Sequence, residues 1–410
     1  MRHANLNPIG YITAIKGQHQ PVRERAAAER LGGYAMNGVT AAAAAGLWVR
    51  CRSPREARAL DELLDAHALR DRVLSVRDED ASSQRIHLCL GDAAARAWAP
   101  GHDTTRLPAI LGLDTLERRP DLEREILVAL LASPIAFDFP SSDELLAAIH
   151  IRRNIVEAGR RTVLDFRTSE AERPADCWRY DEDRGFVVRP GHSLIEALQK
   201  ATQPGPTGQL YSFSCYRATE YVILLGIAEE LALCNPPLLA QLQKQCETRV
   251  IRSGQFHDVF LREYGTQESP LPARYYVPGD RLWFRNPDEA SSDVSGYEGS
   301  WVIYLGGGLF SNFWKRDRPY TLESKCLEIH HWRHGVHRDA SGEPAMDEAI
   351  VERRVAASMA DPAATARILE EMMRLREPKG CYGHGGCIDT TREAPRRVCP
   401  GTADLVLPDR

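Results

Sequence analysis

Cys215 is the residue best placed for chemistry. It lies in Tyr211-Ser212-Phe213-Ser214-Cys215-Tyr216-Arg217, a small polar turn that enters the apolar run Tyr221-Val222-Ile223-Leu224-Leu225-Gly226. The run predicts a helix with the thiol at its start, where unpaired N–H groups and the positive end of the helix dipole favour thiolate over thiol. A thiolate held this way is a nucleophile for acyl transfer. From this segment alone, the competing reading is a buried helical cysteine that acts as a small hydrophobe. Acyl transfer also needs an oxyanion hole and a group that handles protons. The backbone N–H of Cys215 is a candidate for the first. For the second, the candidates are Glu298, between Gly296 and Gly299, and His330 or His331 in Ile329-His330-His331-Trp332-Arg333-His334-Gly335-Val336-His337. A solvated acid and core-capping histidines are the alternatives. Asp280, between a Pro-Gly turn and an apolar strand, reads as a turn-fixing carboxylate.

Short motifs surround this segment in a fixed order. Ser133-Pro134-Ile135-Ala136-Phe137-Asp138-Phe139 comes first, followed by Glu144-Leu145-Leu146 and Arg152-Arg153-Asn154-Ile155-Val156. The Cys215 segment is second. Pro278-Gly279-Asp280-Arg281-Leu282-Trp283-Phe284-Arg285-Asn286-Pro287-Asp288 is third, and Tyr297-Glu298-Gly299-Ser300-Trp301-Val302-Ile303-Tyr304-Leu305-Gly306 is fourth. In this order they resemble the bacterial spore-coat type of protein-glutamine gamma-glutamyltransferase, a calcium-independent transglutaminase, over about half of the chain. The resemblance implies a papain-like α+β core. It also implies a Cys215 thioester with a glutamine side chain, resolved by a protein lysine or free amine. Tyr211, Phe213, Tyr297, Trp301 and Phe313 become candidates to line the substrate approach, with strand-core packing as the alternative for each. The chain departs from the family pattern at three places. The acid beside the nucleophile reads Ser214, the acid of the fourth motif reads Ser300, and the family histidine falls at Phe313, or at Asn312 with a one-residue gap. Three readings stay open: a transferase with re-recruited partners, a glutamine deamidase or thiol hydrolase, and a catalytically silent module that binds protein.

The whole chain narrows the setting. At 410 residues it is long enough for two or three domains. A formal charge of −5 gives no nucleic-acid or membrane signature. No signal-peptide pattern opens the chain, and the expectation is a cytoplasmic protein. The ten cysteines are scattered through most of the chain, which suits a reducing compartment rather than a disulfide framework. Cys381, His384, Cys387 and Cys399 cluster in the tail, but Cys-x5-Cys is wider than common zinc knuckles, and the expectation is no metal. The chemistry requires no cofactor, and no Asp/Asn-rich calcium loop is present.

The elements that must position these residues follow from periodicity. The expected organisation is an N-terminal α+β module over 1–110, a transglutaminase-like domain over 111–340, and a helical region with a Cys/Gly-rich tail over 341–410. In the first part, Arg23–Gly46 reads as partly helical. The apolar stretch Thr40–Trp48 suits a helix, Arg55–Ala68 reads as an amphipathic helix and Gln84–Gly91 as a strand. In the second, helices are expected over Leu113–Ala132, from Ser141 or Ser142 to about Arg161, over Ser193–Ala201, and from Cys215 to about Asn235, with one more to about Glu247. Glu170–Phe186 reads as a loop, and the Pro/Gly-rich stretch at 204–208 as a mobile approach to the nucleophile. Strands are expected at Arg281–Arg285, Ser300–Leu305 and Leu309–Trp314. Met346–Arg376 reads as a helical pair broken at Asp361-Pro362.

Overall fold

In the computed structural model, described for residues 45–80, 83–165, 172–182, 185–205, 208–250, 253–377 and 384–408, chain order begins with a strand. β1 (Gly46–Cys51) buries Leu47, Val49 and Cys51. The end of the expected Thr40–Trp48 helix is therefore extended; the rest of that stretch, with most of Arg23–Gly46, lies outside the described residues. Gly46 makes the strand entry possible: its φ is +86°, and a Cβ there would fall 2.3 Å from the Leu88 carbonyl oxygen. α1 (Pro54–Ala66) is capped by Ser53, starts on a proline and buries Ala57, Leu60 and Leu64. β2 (Val73–Asp80) and β3 (Ser83–Leu90) pair antiparallel. α2 (Asp92–Trp98) and α3 (Leu107–Leu111) lead to α4 (Arg119–Leu131), with Pro120 in its first turn. β4 (Ala136–Phe139) then runs parallel to β1, giving a sheet ordered β2-β3-β1-β4. This sheet joins strands from both sides of residue 110.

α5 (Ser142–Arg161) is capped by Ser141 and carries acids in its first turn and arginines in its last, in the sense the helix dipole favours. β5 (Trp178–Asp181) and β6 (Gly185–Val188) form a hairpin where a polar loop was expected. Trp178 explains it: its ring is 5% exposed and its indole N–H donates to the Ala197 carbonyl, so the polar sequence hides a buried anchor. Ser193 caps α6 (Leu194–Thr202). α7 (Cys215–Cys234) and α8 (Pro236–Thr248) meet at Asn235, as the prolines require. α9 (Ser253–Phe260) runs into β7 (Leu261–Tyr264).

β8 (Arg281–Arg285), α10 (Glu289–Ser292), β9 (Gly299–Gly306), β10 (Leu309–Phe310) and β11 (Tyr320–Thr321) follow, then α11 (Leu322–Gly335). The expected strand Leu309–Trp314 is only two residues long, because Asn312 turns the chain: its Oδ1 accepts from Lys315 N–H and its amide donates to the Arg318 carbonyl. The hairpin β12 (Val336–Arg338) and β13 (Pro344–Met346) precedes the helical pair α12 (Glu348–Met359) and α13 (Pro362–Met372), broken at Asp361-Pro362 as the sequence indicates. β14 (Arg392–Pro395) closes the second sheet from the far end of the chain, in the order β11-β10-β9-β8-β14-β7.

Period-two alternation divides that sheet between two cores. Ile303 and Leu305 of β9 face the core built with α5 and α7, while Val302 and Tyr304 face the one built with α11 and α13. α5 and α7 touch at Gly226, where a Cβ would come within 2.6 Å of Ile155 Cγ1 and 2.9 Å of its amide nitrogen. Before β8, the buried Arg152 guanidinium donates to Asp280 at 2.7 Å, and the other Asp280 oxygen accepts from Val277 N–H at 2.7 Å. Asp280 thus fixes the turn. The architecture is α+β.

Candidate active site

Cys215 is the first residue of α7, and Ser214 is its N-cap, with Oγ accepting from Arg217 N–H at 3.3 Å. Ser214 therefore serves the helix end. The segment before it is held: Phe213 N–H donates to the Asp165 carbonyl and Asp165 N–H to that of Tyr211. Tyr211–Phe213 is thus tied down, unlike the mobile approach expected just upstream.

The sulfur lies where β9 has an open edge. Ser300 and Val302 pair with β8, and Ile303 N–H donates to Ser311 Oγ. The Trp301 N–H, between them, faces the Cys215 sulfur, as does Tyr216 N–H. Burial raises the thiol above its ordinary value. The Trp301 N–H, the Lys325 ammonium and the Tyr216 N–H pull it back down in that order, and the Glu298 carboxylate pushes it up again; the net direction is up. The helix start is where the sequence puts it, but desolvation outweighs the dipole.

Below the sulfur the packing is aromatic and cationic. Tyr216 meets Trp301 edge-on at 5.2 Å, and Trp301 stacks on Trp283 at 6.1 Å. The fully buried Arg281 guanidinium lies 4.3 Å from the Tyr216 ring centre and 4.2 Å from that of Trp301. Glu393 of β14 bonds Arg281 at 3.1 Å and His257 of α9 at 2.8 Å. Lys325 is 3% exposed, bonded to Glu328 at 2.5 Å, and its Nζ is 4.0 Å from the Tyr320 ring centre.

The other sequence candidates have these places. Glu298 acts on the thiol, as described. His331 bonds Ser358 of α12 at 2.7 Å and His334 at 3.2 Å, and His330 packs edge-on against it at 5.0 Å. Burial pushes both imidazoles down to about 4, so they are neutral near pH 7. Neither is among the groups that act most strongly on the thiol. Phe213 is 2% exposed, with its ring under Arg173 at 3.5 Å and against Tyr221 at 5.0 Å; Phe313 is fully buried. Both are core side chains. Tyr297 packs on Trp332 and donates its hydroxyl to Glu348, while Tyr211 is half-buried. Ser300 is buried opposite Phe284. Glu393 and His257 lie outside the motifs read from the sequence, and only the fold brings them to Arg281 beneath Tyr216.

Of the tail, Cys381 lies outside the described residues. Cys387 is fully buried with its sulfur 3.5 Å from that of Cys326, and the free thiols of Cys399 and Cys234 share a hydrogen bond. Among the described residues no group of three or more His, Cys, Asp or Glu side chains could hold a metal ion. No described helix is long and apolar enough to cross a membrane.

The family model for protein-glutamine gamma-glutamyltransferase matches residues 112–393. The protein-glutamine gamma-glutamyltransferase of Halalkalibacterium halodurans is 24% identical over 205 residues, covering 46% of this chain and 62% of that protein. That of Bacillus licheniformis is 24% identical over 196 residues, 46% of this chain and 72% of its own. The match therefore spans less than two thirds of the Halalkalibacterium relative. A solved transglutaminase from Geobacillus stearothermophilus, without its C-terminal extension, is 19% identical and covers 52% of this chain and 98% of its own, with a TM-score of 0.34.

Proposed function

The chain belongs to the protein-glutamine gamma-glutamyltransferase family, and from that premise we propose that it transfers the acyl group of a protein glutamine to an amine through Cys215. The observation that carries this reading is the position of Cys215: first residue of α7, inside the family-matched span, with its sulfur facing the free-edge N–H of Trp301. The thiolate attacks the carboxamide carbon, a C–S bond forms and the carbonyl electrons move to oxygen. The Cys215 N–H, at the start of α7, is the proposed donor to that oxyanion. The nitrogen takes a proton from water, the C–N bond breaks as the oxyanion electrons return to carbon, and ammonia leaves. An amine then attacks the thioester, the C–S bond breaks, the proton it sheds passes to solvent base, and the thiolate returns.

Proteins bearing glutamine and lysine side chains are the proposed substrates. The span 111–340 is read as the transfer domain, with 1–110 and 341–410 as additions whose β1–β3 and β14 complete its sheets. The second reading, a silent binding module, is favoured by two observations: burial raises the thiol, and the family's acid and histidine positions carry Ser300 and Asn312 or Phe313.

The test is incorporation of a fluorescent primary amine into a glutamine-rich protein, with ammonia release followed in the same tubes, for wild type and Cys215→Ala. Labelling lost in the variant is the expected result. Ammonia without labelling would mean deamidation, and neither signal at any pH would leave the binding module.

A further inference from the structure

We propose that Arg173 is a positioning residue for Cys215: its buried guanidinium joins the segment that leads into the cysteine to the helix that carries it. The role rests on the acyl-transfer reading in taking Cys215 as the nucleophile, but the join itself stands on contacts that do not involve the sulfur. Arg173 is 9% exposed. Its Nε donates to the hydroxyl of Tyr221, in the second turn of α7, at 3.1 Å. Its Nη1 donates to the Ser212 carbonyl at 3.2 Å and to the Glu172 carbonyl at 2.5 Å. The guanidinium carbon lies 3.5 Å from the centre of the Phe213 ring and 4.7 Å from that of Tyr221. Phe186 of β6 completes the cage at 4.9 Å. One side chain thus touches Ser212 and Phe213 before Cys215 and Tyr221 after it.

The chemistry of these contacts explains why an arginine stands here. Its partners among the described residues are a hydroxyl, two carbonyls and three rings, with no carboxylate among them. Burying a charge is unfavourable unless its donors are met, and burial lowers the Arg173 guanidinium from its ordinary value. The cation is therefore tolerated only while the Ser212 carbonyl, the Tyr221 hydroxyl and the ring faces keep their places. Arg281 differs, since the Glu393 carboxylate meets its charge at 3.1 Å. The backbone of Asp165 takes the Tyr211 carbonyl and the Phe213 N–H, and Arg173 takes the Ser212 carbonyl between them. Three consecutive residues are thus held before Ser214 caps α7. A planar fork reaches segment and helix at once, whereas an ammonium is a single point of charge. No bond forms or breaks at Arg173; its effect is on where the sulfur sits.

A residue that positions the nucleophile changes kcat, whereas one that only supports the fold changes stability and leaves turnover of the folded protein in place. Amine incorporation is measured against glutamine-protein concentration for wild type, Arg173→Met, Arg173→Lys and Tyr221→Phe, at a temperature where circular dichroism shows each folded. Arg173→Met is expected to lower kcat about tenfold to a hundredfold with KM close to wild type. Arg173→Lys keeps the charge but not the fork, and is expected to fall with it. Tyr221→Phe keeps the ring and removes one acceptor, so it supplies a folded variant with a smaller drop in kcat if Arg173→Met fails to fold. Wild-type kcat in the folded variants, or a loss confined to KM, would overturn the role. Hydrogen exchange of the peptide spanning 211–216 is read on the same samples, with faster exchange in the variants and unchanged exchange in α5 expected. A wild type that incorporates no amine would sink the acyl-transfer reading. The exchange of 211–216 would then decide the join alone, and rates equal to wild type would overturn it.

Discussion

At the scale of the residue, the site is defined by a conflict that burial wins. Cys215 has the helix start, the Trp301 N–H and a cation in its favour, and its thiol is still raised. The sign for activity follows: the nucleophilic form grows as pH rises, so amine incorporation should climb on the alkaline side of neutrality rather than peak below it. A rate that is flat from pH 7 to 9 would contradict this. The histidine cluster has the opposite character. His330 and His331 are neutral near pH 7 because burial pushes them down to about 4. Their stabilising effect on the fold is present above about pH 6.5 and is lost as pH falls toward 4, where they must charge. His330→Gln and His331→Gln should therefore soften acid unfolding, read by circular dichroism, and an unchanged acid limb would contradict this. Part of this was legible in the chain. The proposed nucleophile shows as a cysteine at a polar-to-apolar boundary, a local pattern. The Glu393–Arg281 pair beneath it shows nothing local, because β14 returns from the far end of the chain to make it.

At the scale of the element, the helix that carries Cys215 depends on close approach to α5. Gly226 has ordinary helical φ, so its reason is space: an added methyl would meet the side chain and amide of Ile155. Gly226→Ala should lose about 1–3 kcal/mol through overpacking, despite the better helix propensity of alanine. Chemical denaturation measures the loss, and an unchanged midpoint would show that the helices slide apart freely. α4 supplies a second test. Glu125 is fully buried, one oxygen accepts from Gly307 N–H at 2.7 Å, and burial pushes its carboxyl up to about 8. Its folded value lies above its unfolded one, so its stabilisation is present below about pH 4.5 and is lost as pH rises toward 8. Glu125→Gln keeps the acceptor and removes the titration. The variant should lack that decline and be more stable than wild type at pH 9. Helices with clear caps, at Ser53, Ser141 and Ser193, were readable from sequence because a cap is local. The β5–β6 hairpin and the two-residue β10 were not, since a buried tryptophan and an asparagine turn decided them.

At the scale of the whole molecule, the second sheet is closed by the chain's far end. β14 lies between β8 and β7, a pairing that no local pattern in Arg392-Glu393-Ala394-Pro395 announces. Sequence order gives helices, then the cysteine, then strands, and so the α+β class; it does not give a strand returning from beyond the helical pair. That return sets the Glu393 carboxylate between His257 and the fully buried Arg281, under the aromatic floor of Cys215. Burial alone would raise Glu393, but Arg281 and His257 together hold it below its usual range, and the bond to Glu393 raises His257. The two signs differ. The carboxylate contributes stability above about pH 4.5 that is lost as pH falls. The imidazolium contributes stability below about pH 6.5 that is lost as pH rises through its raised value. The trio is therefore strongest between these limbs. Glu393→Gln should flatten both limbs and leave Arg281 without its counter-charge, a loss of about 3–5 kcal/mol by analogy with other broken buried pairs. Thermal unfolding of wild type and variant across pH 4 to 9 checks it: parallel stability curves would mean that the sheet closes on backbone pairing alone and that the charges beneath Cys215 are incidental to it.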